Sequence, residues 1–238
     1  MKIAMWSGPR NLSTAMMYAF GNRPDFAVVD EPFYATYLAK TGLNHPMRDE
    51  ILTSQSRDPD EVVSQLLGPN PAGNPHCYQK HMTQHMLPGI SRSWLSEVTN
   101  VFLIRHPARV VASFSEKYEN PKLEDIGFVQ QAELYDRAVS LGQQPVIIDS
   151  ADIRDDPKRM LEKLCDAIGL PFDPAMLSWP KGGHPSDGVW AAHWYNAVHM
   201  STGFAGPEGP LPNLSGRAAE LAGAAEPFYR KLFQKRLT

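Results

Sequence analysis

Cysteine is scarce in this chain. Only Cys77 and Cys165 occur among 238 residues, both in apolar segments, so no disulfide framework is expected. Long hydrophobic runs are missing too. No stretch approaches the roughly 18 consecutive apolar residues of a spanning helix. The opening apolar run is a few residues long and leads straight into a Gly-Pro turn, which does not read as a secretory signal. The expectation is a cytoplasmic protein with no membrane partner. Positive charge is not in excess either. Lys and Arg number 23 against 26 Asp and Glu, for a formal net charge of -3. A broad basic surface for nucleic acid is therefore not expected, although a local basic pocket stays possible. Internal repeats, low-complexity tracts and metal-ligand spacings do not stand out.

What is present is ordinary for a globular chain: 42% hydrophobic and 21% charged residues. At this length one large domain or two small ones can each bury a core. Apolar runs and helical patterns alternate. "KIAMW", "FAVVD", "HCYQKHM", "NVFLIR" and "QPVIID" read as strands. Between them lie "STAMMYAFGN", "DPDEVVSQLLG" with Asp58 as cap, "SRSWLSEV", "PARVVASFSEKY" and "EDIGFVQQAELYDRAVSLG", all helical in pattern. "DPKRMLEKLCDAIGL" follows with Asp156 as cap and Gly169 as stop, then "VWAAHWYNAVHMSTGF", helical in part, and a terminal helix from about Ser215. Residues 32–74 look less regular.

Strands separated by helices predict an α/β three-layer sandwich, a mostly parallel central sheet flanked by helices on both faces. In such sheets ligands sit at the carboxyl ends of the strands. Those ends are polar here: "SGPRNLST", Asp30-Glu31, Lys80-His81 and Arg105-His106. The first is a turn at the mouth of a helix, where unpaired N–H groups and a partial positive charge favour an anion. Ser13 and Thr14 add hydroxyls, and Arg10 adds a planar fork suited to phosphate oxygens. The plainer alternative is a strand–turn–helix connection with Ser13 capping the helix. The nucleoside-triphosphatase P-loop needs a second Gly and a Lys before the hydroxyl. Both are missing, so an ATP- and Mg²⁺-dependent kinase is disfavoured.

The turn resembles the 5'-phosphosulfate loop of the PAPS-dependent sulfotransferases, a P-loop-type fold. PAPS is 3'-phosphoadenosine 5'-phosphosulfate. In that comparison Gly8, Pro9, Arg10, Asn11, Leu12, Ser13 and Thr14 form the loop, with Leu12 where a Gly is usual. "VFLIRHPARVVASF" is similar to the family's 3'-phosphate element, which places Arg105 and Ser113 on that phosphate. "IIDSADIRDDPKRMLEKLCDAIGLPFD" is similar to a third family stretch, departing at Ser150 and Ile168. The resemblance implies one sulfotransferase-like domain over residues 1–238. It also implies PAPS as donor, a small-molecule hydroxyl or amine as acceptor, and no metal in the mechanism.

Sulfuryl transfer needs in-line geometry, a base for the acceptor proton and a donor to the leaving oxygen. By resemblance, His81 in "YQKHM" and Glu31 in "VVDEPFY" compete for the base, with His81 ranked first. Arg10 is the candidate for leaving-group stabilisation and Lys80 its reserve. His85 and His106 are assigned structural roles. The aromatics Trp179, Trp190, Trp194, Tyr195 and Phe204 are read as core more often than lid. The family's late R-K-G-x-x-G loop is missing, leaving Ser201–Phe204 or Arg217 as substitutes. A nucleotide-binding protein without activity is the third alternative, motivated by Leu12 and Ser150.

Overall fold

Apolar residues on alternate positions of a strand face opposite sides of a sheet, so a strand apolar throughout must be covered on both. Strand β1 (Lys2–Ser7) meets this condition: residues 3–7 are all buried. The computed structural model of the protein describes residues 1–116 and 118–238. It sets β1 in the middle of a five-stranded sheet with β2 (Phe26–Asp30), β3 (His76–Met82), β4 (Thr99–Ile104) and β5 (Val146–Asp149), in the order β2-β3-β1-β4-β5. Every pairing is parallel. The α/β layered fold expected from the sequence is thus present. Two apolar cores lie on the two faces. One gathers Ile3, Met5, Tyr78 and Leu103, and the other Ala4, Trp6, Phe102 and Ile104.

Between the strands run α1 (Ser13–Gly21), α2 (Tyr34–Thr41), α3 (Arg48–Ser54), α4 (Pro59–Leu67), α5 (Pro107–Ser115) and α6 (Phe128–Ser140). After β5 come α7 (Ser150–Asp155), α8 (Pro157–Ala167), two single-turn helices α9 (Ala191–Trp194) and α10 (Asn196–His199), and the terminal α11 (Gly216–Phe233). Several starts follow the local chemistry the sequence advertises. Asp58 accepts from the Asp60 amide at 3.0 Å with Pro59 in the first turn of α4, and Asp156 caps α8 in the same way. Each such cap contributes about 1 kcal/mol. Among the described residues no helix is long and apolar enough to cross a membrane.

Three local expectations change. The helix anticipated over residues 124–142 is broken at Gly127, whose φ of 71° is left-handed; a 3-10 turn (Leu123–Ile126) precedes it and α6 begins after it. A side chain at Gly127 would also strike Thr83 Oγ1, so both the bend and the close approach require glycine. The segment after β2 is more helical than its pattern suggested, because α2 buries Tyr34, Tyr37 and Leu38 in the core. Finally, α5 ends at Ser115 rather than Tyr118. Lys117, which the sequence places in the tail of that helix, lies outside the described residues.

Candidate functional site

The loop after β1 is built from unusual backbone. Arg10 and Leu12 have φ of 63° and 69°, the left-handed region that side chains disfavour. Leu12 therefore holds, at a cost in backbone strain, the conformation a glycine would take freely, at the position where the resembling pattern has Gly. Gly8 is pinned by space: a Cβ there would lie 2.5 Å from the Ile126 carbonyl oxygen. Leu12, not Ser13, is the N-cap of α1, and no side chain caps that end. Leu has no polar atom to offer the first amides of α1, and unpaired amides at a helix start suit an anion. Residues 9–15 line a cavity of about 400 Å³ at the carboxyl edge of the sheet. Arg105, Ser113, Glu31 and Lys80 line the same cavity. Arg10 Nε donates to Ser113 Oγ at 2.9 Å, and Arg105 Nη1 donates to the Arg10 carbonyl at 2.5 Å. Burial, then the nearby Arg105 guanidinium, pull the Arg10 pKa below its ordinary value. Two cations held this close favour an anion between them.

On the other wall, parallel pairing sets Asp30 beside Lys80. Lys80 is fully buried, and its Nζ donates to Asp30 Oδ1 at 2.9 Å, to Tyr195 Oη at 2.7 Å and to Glu31 Oε1. Tyr195 Oη accepts from Trp190 Nε1 at 3.0 Å and donates to Asp30 at 2.8 Å. The Gly188 amide also donates to Asp30, at 3.1 Å. Asp30 is thus saturated as a structural anchor, while Glu31 is left with the cavity. Glu31 has φ of 39°, backbone strain of the kind retained where surrounding structure over-determines it. Burial raises the Glu31 pKa above the ordinary carboxylate value despite the Lys80 ammonium. Burial opposes the charge on Lys80, but Asp30 and Glu31 together outweigh it and the Lys80 pKa rises. The result is an ammonium–carboxylate pair in which Glu31 is more basic than a surface glutamate.

His81, ranked first as base from the sequence, is not brought to this cavity. On β3 it follows Lys80, so the period of two sends it through the opposite face of the sheet. There its ring stacks on Trp6 at 4.3 Å between centroids, with Trp94 at 5.6 Å. It is buried, does not line the cavity, and burial followed by the Lys80 charge lowers its pKa to about 3. A group neutral when folded but protonated near 6.5 when unfolded adds stability above pH 6.5 and loses it as pH falls toward 3. His81→Phe should therefore lose less stability than wild type on acidification. At pH 5 the difference is about 2 kcal/mol, readable by denaturant unfolding at pH 7.5 and 5. An equal loss in both proteins would refute the neutral, buried assignment.

The other histidines divide. His106 Nδ1 accepts from the Ala108 amide at 3.2 Å and caps α5, a structural role as expected. His85 reaches the cavity wall instead, stacked on Tyr34 at 4.6 Å and Tyr37 at 4.7 Å, and burial lowers its pKa well below the ordinary value. Tyr34 and Tyr37, both on α2, and Trp194 line this side of the cavity, which forms an aromatic compartment. The late aromatics divide too: Trp190 and Trp179 are core, while Tyr195 places its hydroxyl in the Lys80 cluster. Ser201 and Gly203 reach the cavity, but Arg217 contacts Asn120 outside it. Arg154 and Glu208 line the cavity and were not anticipated. Arg154 lies inside the third family-like stretch, whose resemblance implies no role for it, and Glu208 sits in a Pro/Gly stretch without periodicity.

A sulfotransferase-domain family model matches residues 1–236. The chain is 38% identical over 206 residues to branched-chain-amino-acid aminotransferase-like proteins 2 and 1 of Arabidopsis thaliana. The match covers 87% of this chain and 36% or 37% of those proteins, so the chain spans just over a third of their length. Among solved structures, a sulfotransferase domain from the curacin biosynthetic pathway superposes with a TM-score of 0.53 at 17% identity, covering 94% of this chain and 96% of that one. A sulfotransferase from Alicyclobacillus acidocaldarius gives 0.52 at 12% identity, over 73% and 87% of the two chains. At these identities the structures attest to the fold.

Proposed function

The chain belongs to the sulfotransferase-domain family, and from that premise we propose that it moves a sulfuryl group from PAPS to a hydroxyl or amine of a small acceptor. The observation that carries this reading is the shared cavity. A strained phosphate-type loop with Arg10, Arg105 and Ser113 on one side faces the Glu31–Lys80 pair on the other. The 5'-phosphosulfate is assigned to the loop and the α1 amides, and the 3'-phosphate to Arg105 and Ser113. Glu31 takes the acceptor proton as the acceptor atom bonds to sulfur. The bond from sulfur to the bridging oxygen breaks, and Arg10 stabilises the charge left on that oxygen, with Lys80 in reserve. Lys80 holds Glu31 in place. The walls formed by Tyr34, Tyr37, His85 and Trp194 suit an acceptor with an apolar or aromatic body. The names of the plant relatives describe much longer proteins and assign no acceptor to this chain.

Calorimetric titration with PAP, the desulfated product, tests the donor, with ATP plus Mg²⁺ as comparison. Micromolar binding of PAP and little of ATP is expected. Arg105→Ala should weaken PAP binding by about 2 kcal/mol, roughly 30-fold, as a charge-assisted phosphate contact is lost. Unchanged affinity would remove Arg105 from the site, and ATP binding without PAP binding would return the kinase reading.

A further inference from the structure

The segment from Ala205 to Leu214 has no regular secondary structure, and its residues next to Glu208 are exposed. Glu208 itself points inward, with a side chain only 4% exposed. Three guanidinium groups converge on its carboxylate. Arg105 Nη2 lies 2.5 Å from Oε1, Arg154 Nη1 2.9 Å from Oε1, and Arg109 Nε 2.9 Å from Oε2. Two of the same arginines also hold the strand of chain that carries it. Arg154 Nε donates to the Gly206 carbonyl at 2.7 Å, and Arg109 donates to the carbonyls of Glu208, at 3.1 Å, and Gly209. The arrangement is a strap whose Ala205 and Glu208 line the cavity, tied in place by one buried carboxylate.

The fit is incomplete. One negative charge faces three positive ones. Arg105 Nε and Glu208 Oε2 are both buried without a well-directed hydrogen bond among the described residues. A carboxylate offers two oxygens to three forks, whereas a phosphate offers three oxygens and up to two charges. The cradle therefore suits a phosphate better than its present occupant, and two anions cannot share it without strong repulsion.

We propose that Glu208 is a resident competitor for a phosphate group of the donor in the Arg105–Arg109–Arg154 cradle, and that a donor bearing a separate phosphate displaces it and unties the strap. This rests on the reading of the donor as a nucleotide with two phosphate positions. Displacement lowers apparent affinity, because part of the binding free energy is used to break the Glu208 pairs. It also makes Glu208 a selectivity device. A nucleotide with only a 5'-phosphate has nothing to exchange for the carboxylate, so the strap stays tied.

The test compares wild type with Glu208→Gln by calorimetry, using PAP and adenosine 5'-monophosphate. Glu208→Gln should bind PAP about tenfold tighter and the monophosphate within about twofold of wild type. Limited proteolysis supplies a second readout, because the strap is held through its carbonyls and the Glu208 carboxylate. Cleavage within 205–214 of wild type should speed up when PAP is added, and in Glu208→Gln it should be fast without ligand. Equal or weaker PAP binding by the variant, or a strap that PAP protects, overturns the competition while leaving the donor reading in place. Failure of both proteins to bind PAP overturns the donor reading and the competition with it.

Discussion

Glu31→Gln should lower turnover by about 10²- to 10³-fold while PAP affinity stays within about twofold. The substitution keeps the shape and removes the ability to take a proton, together with one of the two charges that pair with Lys80, which keeps Asp30. Glu31 is the cavity-facing carboxylate of the Lys80 cluster, and Asp30 beside it is engaged by Tyr195, Lys80 and the Gly188 amide. The pH profile adds a separate check. A base works when deprotonated, so activity falls as pH drops through the Glu31 pKa, which burial raises above the usual 4.5. The acid limb in wild type should thus lie above the range of surface carboxylates, and it should vanish from the residual activity of Glu31→Gln. The rate is read at saturating donor, with the acceptor found by screening. Retained turnover would show that another group takes the proton.

Lys80→Met should cost about 3–5 kcal/mol of folding stability at pH 7.5, measured by urea unfolding. That is a large part of the 5–15 kcal/mol typical of a domain. The reason is what remains. Asp30 and Glu31 are buried neighbours on either side of one ammonium, and its removal leaves two carboxylates in a poorly solvated site. One of them then holds its proton more tightly in the folded state than in the unfolded chain. The unfolded state binds fewer protons, so stability of the variant falls as pH rises. Lys80→Met should accordingly recover part of its loss at pH 5.5, whereas a simple packing defect would not. A loss below about 1 kcal/mol at pH 7.5 would show that the ion cluster is not tightly coupled.

Lys80 and its neighbour also show how differently adjacent positions can be read from a sequence. Lys80 and His81 both close an apolar strand and both carry suitable chemistry. Only the parity of the strand separates them, and parity acquires meaning once a partner fixes which face is which. The pairing of Asp30 with Lys80 and of Trp6 with His81 supplies that information. His85 illustrates the same point in reverse: an unpatterned histidine becomes a cavity wall because α2 brings Tyr34 and Tyr37 against it.

By itself the sequence determined what local chemistry can dictate. Apolar runs bounded by turn residues specified five strands, proline and aspartate specified where α4 and α8 begin, and their alternation specified a parallel layered sheet. It also marked the sheet edge at which polar strand ends gather. Only the tertiary structure decided which of those polar ends meet. The carboxylate cluster joins residues 30, 31 and 80 to Tyr195, and the arginine cradle joins residues 105, 109 and 154 to Glu208. Tyr195 and Glu208 lie in short or irregular segments, where no period records a face and position is set by long-range charge pairing and burial. Such contacts arise from the fold as a whole, because a charge is buried only where the rest of the chain has already placed its partner.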